Sequence, residues 1–262
     1  MNVTASNITR RKNSARTPWY IKAFGEDYLL RYQHRSEEAA RNEAAFARSV
    51  LKLRAGAQLL DLCCGNGRHS RAFQSMGINV AAIDRSADLL RAAQRHVSPR
   101  GKPPISYILA DMRRLPLAAA RFHAVVSMFT SFGYFTTDRE NARVLHEVAR
   151  VLKPGAFFLL DYFNIKRVLK DLVPYSEKQV GSLLLRERRR YHAGSKRLMK
   201  TIRVAGTRDT LRESVRAYTP AELKRMFAKA GLKVVRLYGD LSGAEFDAKT
   251  SMRCVVLAQK LR

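Results

Sequence analysis

The sequence has few cysteines, no long apolar run and a shortage of acidic residues. Its three cysteines include the adjacent pair Cys63 and Cys64, and their spacing supplies neither a disulfide framework nor a metal site. No segment approaches the roughly 18 apolar residues that a membrane-spanning helix needs. No signal-peptide core is present either, so the cysteines predict a reducing, cytoplasmic location. These absences exclude the disulfide-rich secreted, zinc-binding and membrane-spanning classes.

Basic residues are in large excess. Lys and Arg number 49 against 22 Asp and Glu, which gives a net charge of +27. Such a charge attracts polyanions, because binding releases their counterions. An anionic substrate, an RNA substrate and a generally basic host proteome would each produce this composition. The first 25 residues contain no acid, and we predict a disordered basic tail over residues 1–17, with a transit peptide as the alternative.

A glycine-rich turn joins an apolar strand to a helix at residues 59–70, LLDLCCGNGRHS. Gly65 and Gly67 permit positive φ and a close approach of a ligand, and the N–H groups of the following helix favour an anionic group. Asp84 ends the next apolar run, near the spacing from the turn at which an acid reaches a ribose hydroxyl. The turn therefore predicts a site for a nucleotide-type cofactor.

The turn also discriminates between cofactors. A dinucleotide site requires G-x-G-x-x-G or A, but Ser70 replaces the last glycine here, and Asp61 lies four residues before the first. This pattern resembles the S-adenosylmethionine (SAM) site of class I methyltransferases. Three later segments resemble the same family in the expected order: DMRRLPL from Asp111, FHAVVSMFTSFGYF over 122–135 and VLKPGAFFLLDYFN over 151–164. The resemblance covers roughly residues 18–260.

The resemblance implies a fold and a domain plan. The fold is α/β, a Rossmann-like seven-stranded sheet flanked by helices, with an inserted antiparallel β meander. One methyltransferase domain would span residues 18–262. Its parts would be an aromatic lid and first helix (18–55), a SAM-binding core (56–164), a substrate-side β insertion (165–218) and a terminal helix with strands (219–262).

Two segments outside the SAM-binding core each have two interpretations. Residues 183–217 alternate in polarity as three strands would, and in the family an insertion here covers the substrate mouth; a structural flap or dimer contact is the alternative. Alternation would send its basic residues to both faces, so no single basic stripe is predicted. Residues 18–35 are rich in aromatic residues and resemble the lid of small-molecule N-methyltransferases, or else pack as an amphipathic helix.

The resemblance implies a set of site residues. In the related N-methyltransferases an arginine after the lid pairs with the SAM carboxylate, and Arg41 is the nearest match, with Arg35 as the alternative. The implied cofactor-binding residues are Tyr32, Arg41, Asp61, Gly65, Gly67, Asp84, Arg85, Asp111, Met112, Ser127 and Phe129. The implied substrate contacts are Tyr20, His34, Ser131, Phe132, Tyr134, Asp161, Tyr162 and Asn164.

Methyl transfer from SAM needs little acid–base catalysis. The sulfonium methyl is already activated, so in-line attack needs alignment and exclusion of water. No catalytic triad, metal or essential histidine is predicted. Aromatic faces accommodate a sulfonium cation, and the candidates for that wall are Tyr20, Tyr32, Phe129, Phe132 and Tyr134.

We therefore predict SAM-dependent methyl transfer to a small metabolite, with an anionic one among the candidates. The runner-up is an RNA methyltransferase that uses the basic insertion. A catalytically silent SAM-fold partner is a third interpretation, and Ser70 with Asp61 disfavours a dehydrogenase. The sequence leaves the acceptor, the attacking atom and the oligomeric state open.

Overall fold

The computed structural model describes residues 18–24, 28, 36–98, 100–180, 183–207 and 210–262. The predicted tail 1–17 and the candidates Tyr32, His34 and Arg35 lie outside the described residues. The helices are α1 (Trp19–Ala23), α2 (Glu37–Val50), α3 (Arg68–Ser75), α4 (Ala87–Gln94), α5 (Asp138–Val151), α6 (Ile165–Lys170) and α7 (Pro220–Lys229). The strands are β1 (Gln58–Leu62), β2 (Asn79–Asp84), β3 (Ser106–Leu109), β4 (Phe122–Ser127), β5 (Leu152–Phe163), β6 (Tyr175–Val180), β7 (Leu183–His192), β8 (Arg197–Val204), β9 (Thr210–Arg216), β10 (Leu232–Tyr238) and β11 (Arg253–Lys260).

Seven strands form one sheet in the order β10-β11-β5-β4-β1-β2-β3. Strands β1 to β5 run parallel, whereas β11 is antiparallel to both of its neighbours. The inner strands are apolar on both faces because helices cover both, and Leu60, Val125 and Leu160 are fully buried. The strand order reverses between β1 and β4, which opens a crevice at their carboxyl ends. The predicted seven-stranded α/β sheet is confirmed.

Local capping residues start the helices where the sequence places them. The hydroxyls of Ser36 and Ser86 accept hydrogen bonds from the N–H groups of the first turns of α2 and α4. Thr137 and Thr219 form capping boxes with the glutamates three residues later. Each cap satisfies N–H groups that the helix itself leaves without a partner. These helix starts need only short-range contacts, and all four are confirmed.

One expectation about helices is wrong. The sequence predicts that Pro154 and Gly155 end the helix that begins at Thr137, but α5 stops at Val151 and both residues lie inside β5, because pairing with β4 and β11 extends that strand. The fully buried stripe of α2 consists of three alanines, Ala40, Ala44 and Ala47. Phe46 and Val50, which the sequence places on one apolar face with Leu53, are partly buried and pack against the core. Small side chains let α2 approach α3 closely.

The insertion forms a separate four-stranded antiparallel sheet in the order β6-β7-β8-β9. Strands β7, β8 and β9 match the predicted meander, whereas β6 is an additional strand that the sequence analysis missed because its residues are mostly polar and exposed. The sheet is anchored to the loop that follows β4. The Arg197 guanidinium donates to the carbonyl of Phe135, and the Arg216 N–H donates to the carbonyl of Gly133, at 2.9 and 2.8 Å.

Glu222 ties this second sheet to α7. It accepts hydrogen bonds from Thr219, Lys196 and Arg216. Burial works to raise the pKa of Glu222, but these donors outweigh it and lower the pKa from 4.5 to about 2. The stabilisation that Glu222 contributes is therefore complete above pH 4.5 and is lost as the pH falls towards 2.

We expect Glu222→Gln to lower the free energy of unfolding by about 3–4 kcal/mol at pH 7, since the shift from 4.5 to about 2 is about 2.5 pKa units at about 1.4 kcal/mol each. Urea unfolding at pH 7, 5 and 3 measures the difference between the variant and the wild type. That difference should shrink as the pH falls; a constant difference would contradict the assigned pKa.

No helix in the described part of the chain combines the length and the apolar character that crossing a membrane requires. The three cysteines are free thiols. Within the described ranges, no three His, Cys, Asp or Glu side chains are grouped so as to hold a metal ion. The cytoplasmic location stays a prediction.

Candidate functional site

A cavity of about 580 Å³ opens at the carboxyl ends of β1, β2, β3 and β4. It lies at the reversal of strand order, where open α/β sheets bind ligands. Segments distant in the chain meet there because parallel strands end at one edge of the sheet. The predicted site residues that line it are Tyr20, Gly65, Asp84, Arg85, Asp111, Met112, Phe129, Ser131 and Tyr134.

Asp84 holds the glycine-rich turn from the tip of β2. Its carboxylate accepts the N–H groups of Gly65 and Ser86, both at 2.8 Å, through different oxygens. Gly65 has φ +57°, in the left-handed region that glycine adopts without strain. Burial raises the pKa of Asp84, although these backbone hydrogen bonds oppose the shift. A carboxylate offers about four acceptor positions, so Asp84 retains capacity for ligand hydroxyls.

Asp111 lies at the next strand tip, after β3. It accepts hydrogen bonds from the backbone N–H of Arg113 at 2.9 Å and from the Arg113 and Arg85 guanidiniums. Burial works to raise the pKa of Asp111, but the Arg113 hydrogen bonds and the Arg85 charge outweigh it and lower the pKa. Met112, which is almost fully buried, contributes an apolar wall beside Asp111. This corner of the cavity combines an ionised carboxylate with an apolar surface.

Asp61 and Gly67 support the turn without lining the cavity. Asp61 is buried on β1, and its carboxylate accepts a hydrogen bond of 2.5 Å from the Ser70 hydroxyl at the start of α3. Burial raises the pKa of Asp61, and the positive field of His69 opposes the shift. Gly67 has φ +76°, and a Cβ atom built there would lie 2.5 Å from the Tyr107 hydroxyl. Packing against Tyr107 therefore requires a glycine, independently of any ligand.

We expect Gly67→Ala to be destabilising by about 2–5 kcal/mol, the sum of left-handed strain of about 1–2 kcal/mol and an overlap of about 1–3 kcal/mol. Gly206→Ala is the matched control. It has φ +77° with open space around the added Cβ, so it reports the strain alone. Urea unfolding of both variants, and of Gly67→Ala combined with Tyr107→Phe, separates the two causes. If Gly67→Ala and Gly206→Ala lose the same free energy of unfolding, the overlap with Tyr107 is not a cause.

The loop after β4 is strained. Phe129 and Thr130 have φ +61° and +56°, in the left-handed region that side chains rarely adopt. Asp161 on β5 holds both residues: its carboxylate accepts the Phe129 N–H at 2.8 Å, and its carbonyl accepts the Thr130 N–H at 3.0 Å. Arg253 completes the clamp by pairing with the Asp161 carboxylate at 2.5 Å and donating to the Thr130 hydroxyl. The clamp presents Phe129 and Ser131 to the cavity.

Aromatic side chains cover the cavity. Tyr20 and Phe24 from α1 and its end lie against rings of the loop after β4, with Phe24 stacked on Tyr134 at 5.6 Å between centroids. Tyr20 contacts Phe135 edge-on at 5.6 Å, and the Arg85 guanidinium lies over the Tyr20 ring. The described residues of the predicted lid thus lie at the cavity, and their action as a lid stays a prediction.

Several predicted residues lie elsewhere. Arg41 is exposed, because α2 buries the alanine stripe and turns Arg41 outwards. Phe132 is buried among Tyr162 and Tyr218. Four more predicted residues do not line the cavity. Ser127 is buried at the end of β4, and the Tyr162 hydroxyl donates to the Arg216 carbonyl. Asn164 caps α6 and donates to the carbonyls of Ala248 and Ser251, and Asp161 is the clamp of the strained loop.

Arg68 and His69 are among the cavity residues that the sequence analysis did not assign to the site. Arg68 donates to the Ser36 carbonyl at 2.8 Å, and its guanidinium lies 5.5 Å from the centre of the Phe129 ring. His69 is buried, and its Nε2 lies 2.6 Å from the Glu43 carboxylate. Both residues follow the glycine-rich turn directly, so their position in LLDLCCGNGRHS was the available signal. Nothing in that motif indicates the partner of His69 on α2.

Comparison with known proteins agrees with this geometry. A family model described as "Methyltransferase domain" matches residues 59–155. The match extends from β1 into β5, so it contains the glycine-rich turn, the strand tips with Asp84 and Asp111, and the strained loop.

Relatives match parts of the chain. The methyltransferase YqeM of Bacillus subtilis (strain 168) is 35% identical over 44% of this chain and 47% of its own length. The demethylmenaquinone methyltransferase of Renibacterium salmoninarum is 32% identical over 42% of each chain. The chain thus spans less than half of the length of these two relatives. A dTDP-3-amino-3,4,6-trideoxy-alpha-D-glucopyranose N,N-dimethyltransferase of Streptomyces venezuelae is 28% identical over 71% of this chain and 79% of its own length.

Solved structures match nearly the whole fold. The CcbJ methyltransferase from Streptomyces caelestis has a TM-score of 0.77 and 19% identity, with 94% of this chain and 99% of that chain covered. The SAM-bound amino pentose methyltransferase CalS10 from Micromonospora echinaspora has a TM-score of 0.61 and 20% identity, with 89% and 94% covered. The likeness to these structures confirms the predicted Rossmann-like fold over nearly the whole chain.

Proposed function

We propose that the chain transfers a methyl group from SAM to the amine nitrogen of a small molecule. The observation that carries this proposal is the shared cavity, in which Asp84, the Gly65 turn and the aromatic cover face one enclosed space. Its volume of about 580 Å³ is typical of small-molecule sites, which range over about 300–1,000 Å³. The reaction needs positioning and exclusion of water, and both are properties of this cavity.

The residues present fit SAM. Asp84 retains acceptor positions for the two ribose hydroxyls, beside a turn whose backbone lies against the cavity. Asp111 and the buried Met112 provide a carboxylate and an apolar wall for adenine, as the resemblance implies. Arg68, rather than the exposed Arg41, is the cation placed to pair with the methionine carboxylate. SAM supplies a methyl group that its sulfonium charge has already activated.

The aromatic cover and the strained loop orient the acceptor. Tyr20, Phe129 and Tyr134 exclude water and offer ring faces to a positive charge. The Ser131 hydroxyl donates to the Met128 carbonyl at 3.1 Å, so its oxygen remains an acceptor for an amine N–H.

His69 tests the prediction that no histidine is an essential base, because it is a buried histidine at the cavity and is held by Glu43. We expect His69→Gln to lower turnover by less than about tenfold. Loss of a general base would instead lower turnover by about 10²–10⁴-fold.

The charges at the cavity favour an amine over the anionic acceptor that the total charge suggested. Two guanidiniums, Arg68 and Arg85, and four carboxylates, Glu37, Asp84, Asp88 and Asp111, are among the described lining residues. Arginines pair with Glu37, Asp88 and Asp111, whereas the ion pairs of the described residues include none for Asp84. Carboxylates attract a protonated amine. The amine nitrogen attacks the methyl group of SAM only in its neutral form, after the loss of a proton. Two relatives are named for amine methylation, the Streptomyces venezuelae N,N-dimethyltransferase and the sugar N-methyltransferase KedS8.

Calorimetric titration with S-adenosylhomocysteine, after removal of any co-purified nucleoside, tests the cofactor first. Stoichiometric binding with a micromolar Kd supports the proposal, and labelled SAM with amine, hydroxyl, carboxyl and RNA acceptors then tests the substrate class. Label in the amine panel is the expected result. No heat and no thermal shift would reject the SAM site and favour the silent partner, whereas preferential labelling of RNA would favour the RNA methyltransferase.

A further inference from the structure

Five exposed arginines share one face of the second sheet. This arginine face consists of Arg186, Arg188 and Arg190 on β7, Arg203 on β8 and Arg212 on β9. The strand register places them together, because directly opposite residues in an antiparallel pair point to the same side. Arg186 lies opposite Arg203, and Arg188 shares a row with Thr201 and Arg212. The sequence alternation alone did not reveal this grouping.

Acidic partners are concentrated on the other face of the sheet. There the buried Glu187 pairs with Arg189 and Lys200. On the arginine face, Arg186 pairs with Glu177 at 3.0 Å, and the described residues supply no ion pair for the other four arginines. Like charges directly opposite each other destabilise a sheet. The arginine face is therefore unfavourable for the fold, and its positive charge is available to a partner.

The position of the face limits that partner. None of its five arginines lines the cavity, so the methyl acceptor in the cavity does not account for them. A second copy of the chain docked symmetrically through this face would bring the arginines of both copies together. A partner of opposite charge, extended over three neighbouring strands, is required instead.

We propose that the arginine face binds single-stranded nucleic acid. Guanidinium groups match phosphate oxygens in geometry, and Arg186, Arg188 and Arg190 recur every two residues, about 7 Å apart along the strand. Tyr175, 48% exposed, lies in the row of Arg188 and Arg212. Its ring is placed for a base to stack, and stacking beside basic residues on an open sheet is a mode of single-strand recognition. An acidic protein would use the charges but not the ring. This binding is independent of the proposed methyl transfer.

Two variants of the full chain test the site at equal net charge. The first replaces Arg188, Arg190, Arg203 and Arg212 with Gln. The control replaces Arg54, Arg95, Arg143 and Arg225 with Gln; these are exposed residues on other elements. Fluorescence anisotropy with a labelled 20-nucleotide RNA of mixed sequence, at 50–300 mM salt, measures the affinity and its salt dependence. Circular dichroism and thermal unfolding check that both variants fold.

The first variant should lose at least tenfold in RNA affinity at 100 mM salt, and its salt slope should fall by about 3, since each lost phosphate contact removes about 0.7. The control should stay within about threefold. No RNA binding by the wild type at 50 mM salt, or equal losses in both variants, overturns the proposal. If polyglutamate competes as effectively as unlabelled RNA, an acidic protein is the partner instead.

Tyr175→Ala should weaken RNA binding about tenfold, because a base would lose the ring on which it stacks. An unchanged affinity would show that Tyr175 does not stack on a base and would contradict the preference for nucleic acid.

Discussion

Asp84→Ala should lower the affinity for S-adenosylhomocysteine by at least about 100-fold. The expected loss follows from two ribose hydrogen bonds to a charged acceptor, at about 1.5–3 kcal/mol each. The substitution also frees the N–H groups of Gly65 and Ser86, so the turn itself loses its support. Calorimetry measures the affinity, and circular dichroism reports whether the domain remains folded.

Two variants control this experiment. Asp84→Asn keeps one carbonyl oxygen for a backbone N–H and should retain the fold while affinity still falls, which separates ligand binding from the structure of the turn. Asp88→Asn removes a different carboxylate at the same cavity and should leave the affinity within about twofold. If Asp84→Ala binds S-adenosylhomocysteine as tightly as the wild type does, Asp84 is not a cofactor ligand.

Asp161→Ala should lower both the stability of the fold and the rate of methyl transfer. It leaves Arg253 without its carboxylate and the Phe129 N–H without an acceptor beneath the strained loop. Removing one partner of a buried ion pair costs about 3–5 kcal/mol, and we expect about 3 kcal/mol because Arg253 is 27% exposed. Methyl transfer should fall about 100-fold, since a displacement of about 1 Å at a reacting centre has that effect.

Arg91→Ala is the matched control, because it breaks the exposed pair with Asp88 and should cost less than about 1 kcal/mol. Urea unfolding and single-turnover methyl transfer measure the two consequences. A clamp predicts that both stability and turnover fall. Normal stability with lost turnover would instead place Asp161 in direct contact with substrate, as the sequence analysis had it.

The predictable parts of the fold depend on short-range contacts. Capping at Thr137 and Thr219 requires only a hydroxyl and a glutamate three residues later, so those helix starts were correct. The end of α5 was wrong because β5 pairs with the distant strand β4 on both sides of Pro154 and Gly155, at Leu152 and again from Phe157. Strand β6 was missed because an exposed, polar strand has no strong alternation, and only its pairing with β7 defines it.

The site also has a part that the sequence predicts and a part that it does not. The glycine-rich turn with Asp84 and Asp111 was predictable, because parallel strands bring their tips to one edge. Arg41 was misplaced because the resemblance does not state which face of α2 is buried, and three alanines determine that face. The Asp161–Arg253 clamp joins residues 92 positions apart, a distance at which no motif specifies contact.

The sequence by itself determined the α/β alternation, the capped helix starts and the glycine-rich turn, because periodicity, caps and glycine geometry act within a few residues. Only the tertiary structure decided which residues face the cavity, what the strained loop rests on, and that five arginines share one face. Those features depend on strand register and on helix rotation about the sheet, which side-chain packing across the whole chain selects.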